Sequence, residues 1–579
     1  MAHCRYGCKA AEDDFGKCPL LIAAYILAGL SMMLNIRLSY SSAPYALIRF
    51  KLPENLFSVF VRRMASSLEL WCLPGFIIAD AIELAVKLAI TSDFSNWNNL
   101  DSKKLKFGAI IIPSIIAQWL NFLTYVILLI VYLAGGDHGR LTTFYWTIAV
   151  SGFVFGINNP LVFAANYHYI PIYIAGENCF PALTSFIHYL ATLMFGNRRK
   201  YDSDFILVFI DIWVAIIISF VAAVVWTLAY GICTDAAPDC TITKVTSQTQ
   251  VTITYQGDEK AKVEKAGYVD PPGTNGTYKY TVKNTETKNI TYTFTLRTQL
   301  GAAGANGAVT IEYGHIFAEG FSGTGAKESL ISPLLIVLVG MGLVYAIYPG
   351  IAPGMIVPFY LVDKIEMVLL IATIFPPVII ALLQRFAANW SPKTNYVWHG
   401  NDKTGLQGWL PYASTHVKDT GRSTEQKEVC NPVQEAQHLV HAYLWHFFDI
   451  VVPTMIILAY LFIYSLHYRD SKISRSIVNQ PKMSTALTII FYMCHEIALA
   501  VGFAGMVGNG AEYTVIAQMV GAFLMVFLAL YSEGYLIEYK SHDPTHWPTE
   551  GMTKWNAFCY WCKRASKITN HNLRSLFRT

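Results

Sequence analysis

Eleven apolar runs, each long enough to cross a bilayer, take up most of this chain. A hydrocarbon core of about 30 Å needs about 20 apolar residues in a helix. The runs lie near 19–40, 64–91, 107–134, 141–165, 168–195, 204–232, 329–352, 362–386, 441–466, 483–507 and 512–537. An odd number of crossings puts the two chain ends on opposite sides of the membrane. Charge is too sparse for a soluble alternative: charged residues make up 14% of the 579, against about 25% in a soluble domain. Mean hydropathy is +0.38. A net charge of +4 is too small to imply nucleic acid as a partner. No phosphate loop, dinucleotide fingerprint or zinc-finger spacing occurs, so the expectation is a protein without cofactor or enzymatic activity.

The fold class expected is therefore an all-α polytopic membrane protein of about eleven transmembrane helices in a six-plus-five arrangement. A short tail, 1–18, precedes a first bundle, 19–233; a second bundle, 329–537, precedes a basic tail, 538–579. The tail carries Glu12, Asp13 and Asp14 rather than a basic region, which argues against a cleavable signal peptide. Between the bundles, residues 234–328 alternate Thr, Val and Tyr with polar residues, as in VTITY and YKYTV. That period-two pattern predicts a small β-rich loop, with Pro271, Pro272, Gly273 and Asn275 as a turn and the glycine-rich 301–308 as a connector.

Within that loop, sequons at Asn275 and Asn289 are candidate glycosylation sites, and Cys233 and Cys240 a candidate disulfide. Both suit an external face. The short-loop Lys and Arg, among them Arg198, Arg199, Lys200, Arg469, Lys472 and Arg475, favour a cytoplasmic C-terminus. Cys559 and Cys562 form a lone CxxC without a second pair to complete a zinc site.

Polar residues inside the runs are the candidates for a solute path, because ionisable groups in a membrane face a cavity or one another. In the fourth run, Asn158, Asn159 and Pro160 interrupt the apolar pattern. They suit either a water-lined break or a kink with amide bonds between helices. In the fifth, Pro171 and Gly176 loosen the helix beside Glu177 and Asn178. Pro349, Gly350, Pro353 and Gly354 bend the seventh, and Asp363 and Lys364 open the eighth. Arg37 edges the first run, where it could snorkel or join the path. In the ninth, Glu435, His438, His446 and Asp449 fall on one face at 100° per residue, but they spread too far for one metal. His495 and Glu496 in the tenth run are adjacent, so they diverge on the helix and either could serve a relay or gate.

These spans and segments together resemble the equilibrative nucleoside transporter family. The likeness is carried by GLSMMLNIRLSY in the first run, GFVFGINNPLVFA and YIPIYIAGENCFPAL in the fourth and fifth, and YAIYPGIAP in the seventh. Within the family it is most similar to the divergent multigene membrane proteins of piroplasm parasites. The resemblance implies a major-facilitator-like fold and facilitated diffusion of nucleosides or nucleobases. It also implies that Asn158 stands where the family has a substrate-contacting Gln, and Asp363 where it has an eighth-span Asp. Met367 replaces the family's Arg four residues later, and Ile36 and Arg37 replace its Trp-Asn. The family's topology puts the N-terminus and central loop in the cytoplasm, opposite to the charge count. The function expected is passive transport of a small polar solute, in the plasma membrane, by rocking of two bundles around a midplane site. A surface or interaction protein that keeps the fold without transport is the alternative.

Overall fold

The computed structural model describes residues 19–32, 45–51, 57–92, 107–134, 140–232, 330–386, 442–510 and 513–576, apart from isolated positions, with short strands between 240–311 and 394–409. Seven helices among the described residues are long and apolar enough to cross a membrane: Phe107–Leu133, Leu141–Ala165, Ser203–Tyr230, Met367–Phe386, Trp445–His467, Pro481–Val507 and Thr514–Lys540. The first and seventh predicted runs form apolar helices too, but short ones, of 14 and 17 residues. The second and fifth form longer helices, of 36 and 26 residues, that are not among the seven. The described residues thus establish a helical protein with seven candidate spans.

The helices are α1 (Pro19–Met32), α2 (Phe57–Ser92), α3 (Ile112–Leu133), α4 (Leu141–Ala165), α5 (Ile170–Phe195) and α6 (Ser203–Thr227) in the first half. The second half holds α7 (Ile331–Ile347), α8 (Phe359–Ala372), α9 (Phe375–Phe386), α10 (Val451–His467), α11 (Lys472–Val478), α12 (Pro481–Gly510) and α13 (Thr514–Lys540). A final helix, α14 (Lys554–Leu576), follows the last span. In the intervening segment, the backbone pairs into a five-stranded sheet in the order Tyr278–Tyr280, Ala308–Ile311, Cys240–Ser247, Gln250–Tyr255, Ile290–Thr295. The side chains of these strands lie outside the described residues, as do Asn275, Asn289 and Cys233.

Proline placement explains where helices stop, and it corrects several sequence expectations. The run at Asn158–Pro160 is not interrupted: α4 continues through Pro160 to Ala165. Pro171 sits in the first turn of α5, where its missing N–H would be unpaired in any case, so it starts the helix instead of loosening it. The eighth run does break: Pro376 and Pro377 cannot supply N–H groups to the preceding turn, and α8 and α9 part at Thr373 and Ile374. α7 ends at Ile347, before Pro349, and a turn-rich segment follows to Val357. The ninth run opens as a 3-10 helix, Ala442–Ile450, so the stripe drawn at 100° per residue does not hold there. His446 Nδ1 and Asp449 Oδ2 pair at 2.9 Å, while Glu435 and His438 lie outside the described residues.

Small residues let the helices of the first half approach backbone to backbone. A Cβ at Gly29 of α1 would strike the carbonyl oxygen of Tyr173 on α5, and one at Gly176 would lie 2.5 Å from that of Ile26. Gly152 and Gly156 of α4 do the same against Leu68 and Cys72 of α2. This is the small-residue seam by which membrane helices associate, since lipid supplies no hydrophobic drive between them. Around α1 an aromatic knot closes the core: Tyr25 stacks on Tyr169 at 5.1 Å, and its hydroxyl is 2.8 Å from that of Tyr230. The largest apolar core is shared by both halves, joining Phe163, Tyr173 and Ile174 to Val337, Phe503 and Val515.

Candidate functional site

A polar link between the halves is built by α5 and α12. Asn178 Nδ2 donates to Glu496 Oε2 at 2.9 Å. Glu496 is buried, and Glu177 lies close enough for the two carboxyl groups to interact electrostatically. Among the described residues no Lys or Arg forms an ion pair with either carboxyl group.

Helical spacing brings further groups to this pair. Tyr173 stands one turn before Glu177 and interacts with it, while its hydroxyl donates to Asn159 Oδ1 at 3.1 Å. Tyr492 stands one turn before Glu496; its side chain hydrogen-bonds with Tyr345, and its ring lies 4.6 Å from that of Tyr348. Tyr173 and Asn159, and Asn178 and Glu496, are hydrogen-bonded pairs, and with Glu177 and Tyr492 one turn along their helices they make up a polar seam at the interface of the halves. It presents carboxylate and amide acceptors, amide and phenol donors, and aromatic faces. Such a set suits a small polar solute with a flat or hydroxylated body.

Among the other sequence candidates, Asn158 and His495 hydrogen-bond to partners outside this seam. Asn158 is fully buried but points to α1: its Nδ2 lies 3.5 Å from Met32 Sδ, and its Oδ1 has no hydrogen-bond partner among the described residues. His495 turns away from Glu496, its Nδ1 2.9 Å from the carbonyl oxygen of Gly340 on α7. Lys364 on α8 is exposed; the side chain of Asp363 lies outside the described residues, and so does Arg37. His188 on α5 pairs with Asp211 on α6 at 2.9 Å.

Several residues of the site escaped the sequence reading. Tyr173 and Tyr492 precede the two glutamates by four positions each, a spacing that places them on the same helix face. A second polar seam on α3 was also missed. Asn121 Nδ2 and the Tyr125 hydroxyl both donate to the carbonyl oxygen of Ser31, at 3.4 and 3.1 Å. Gln118 lies one turn away and is 1% exposed. The positions 114, 118, 121 and 125 carry polar or amphipathic side chains at helical period in an otherwise apolar run, which was the available signal.

Neither a protein-family model nor a curated protein matches this sequence.

Proposed function

We propose that the protein is a facilitative membrane transporter of nucleosides or nucleobases. In this reading, two bundles in a six-plus-five, major-facilitator-like arrangement work by alternating access in the plasma membrane. The observation that carries it is the hydrogen bond from Asn178 to Glu496, which joins a helix of the first half to one of the second. A transporter's site belongs at such a boundary, because rocking of the halves opens it to each side in turn. Glu177 and Glu496 offer acceptors to the amino and hydroxyl groups of a nucleoside. Tyr492 offers a ring face to its base.

The test is uptake of radiolabelled adenosine and hypoxanthine in a host lacking its own transport. Saturable uptake that is lost in Glu177→Gln and Glu496→Gln is the expected result. No saturable uptake despite confirmed surface expression would overturn the proposal in favour of a surface protein that keeps the fold.

A further inference from the structure

The last helix, α14, contributes none of the residues of the polar seam between the halves. α14 is amphipathic: Trp561 and Ala565 are 7% and 0% exposed against α13, whereas Trp555 and Phe558 are 69% and 59% exposed. Its seat on α13 is specific. Arg564 Nε donates to Glu538 Oε1 at 2.5 Å, and Thr569 Oγ1 donates to the Leu530 carbonyl at 3.1 Å. Gly534 leaves room for Ala565 and Thr569 to come close.

Its height in the membrane follows from α13. That helix has 27 residues, about 40 Å at 1.5 Å per residue, against a hydrocarbon core of about 30 Å. Its apolar run gives way to Ser532, Glu533 and Gly534, so the contacts with α14 lie where the span leaves the hydrocarbon. Exposed Trp is the usual residue of a membrane interface.

Charge is concentrated at the same end. Arg469 reaches the Tyr539 hydroxyl at 3.3 Å, which places the turn before α11 beside the end of α13. Over residues 467–484 and 538–576 there are ten Lys and Arg against four Asp and Glu. On α14, Lys563, Lys567 and Arg574 are exposed, as are Lys472 and Arg475 on α11, with Ile473 54% exposed between them. An exposed aromatic pair on a helix whose other exposed positions include Lys554, Lys563, Lys567 and Arg574 fits a surface that is apolar below and anionic above.

We propose that α14, with α11 beside it, lies on the membrane interface and binds anionic lipid headgroups. Trp555 and Phe558 enter the acyl boundary, and Lys563, Lys567 and Arg574 meet the charged headgroups. This does not depend on the transport reading.

The test uses the full chain reconstituted into vesicles of phosphatidylcholine with phosphatidylglycerol, one or the other brominated high on its acyl chains. Trp555 fluorescence is taken as the difference between wild type and Trp555→Phe. Brominated phosphatidylglycerol is expected to quench that signal at least twice as strongly as brominated phosphatidylcholine at equal mole fraction. The triple variant Lys563→Gln, Lys567→Gln, Arg574→Gln should abolish the preference while its melting profile stays that of wild type. Equal quenching by the two lipids in wild type, no quenching of Trp555, or a preference unchanged in the triple variant would each overturn the proposal. If the triple variant melts differently, the same comparison made on wild type at high salt decides: a preference that survives sinks it, and one that vanishes upholds it.

Discussion

Asn178 and Glu496 are 318 positions apart in the chain, and the amide of one donates to the carboxylate of the other at 2.9 Å. The bond ties α5 to α12 and brings Glu177 within the electrostatic reach of Glu496. A buried carboxylate that loses its donor bears the full cost of desolvation, about 1–3 kcal/mol or more for a charged group.

Replacing Asn178 by Leu should accordingly destabilise the purified protein by about 1–3 kcal/mol. Glu496→Gln, which retains an acceptor oxygen, should cost less. Thermal melts of both variants in one detergent check the order. Equal melting temperatures for wild type and Asn178→Leu would show that the bond carries no stability.

Gly156→Ala should be among the most damaging single-methyl additions in the first half. The new Cβ would meet the carbonyl oxygen of Cys72, which is backbone and cannot step aside as a side chain would. Overpacking of this kind costs about 1–3 kcal/mol. Gly108→Ala is the control, since nothing lies within 4 Å of its Cβ position. Comparable expression and melting of the two variants would contradict the close α2–α4 seam.

Arg564→Met should loosen α14 from α13. Glu538 is 3% exposed and accepts from both Arg564 and His542. Removing the guanidinium leaves the carboxylate with a weaker partner. Limited trypsin digestion should then cut within α14 faster than in wild type, with the membrane core intact. Unchanged cleavage would mean that Trp561 and Ala565 hold the helix unaided.

The basic end of the molecule should face the cytoplasm, where Lys and Arg of short loops accumulate. An epitope fused after Thr579 should be reached by antibody only after cells are permeabilised. Labelling of intact cells would reverse the orientation and match the topology of the equilibrative transporters instead.

Some of this was legible before any coordinates. The 3.6-residue period that separates helices from strands, and the apolar length that marks a span, are local properties, so most of the helices appear where the runs predict them. Helix ends were less legible. Pro160 and Pro171 look alike as letters, yet α4 runs through the first and α5 begins at the second. Only the position of each in its hydrogen-bond ladder tells them apart. Glu177, Asn178 and Glu496 were found because charge or amide in an apolar run is anomalous. Tyr173 and Tyr492 were not, because a tyrosine in a membrane helix is ordinary until its hydroxyl has a partner.

The sequence by itself determined that the chain is helical and suited to a membrane, and that its charge gathers at loops and at the C-terminal end. These follow from the cost of placing backbone and charge in hydrocarbon, and every residue meets that cost locally. Tertiary structure decided which polar residues meet. Asn158 and Asn159 are neighbours, yet one faces Met32 of α1 and the other Tyr173 of α5. Likewise Glu496 faces α5 while His495 faces α7. A turn of about 100° per residue sends adjacent side chains to different partners, and which helix stands on each side is fixed by packing of glycine seams and aromatic knots far along the chain.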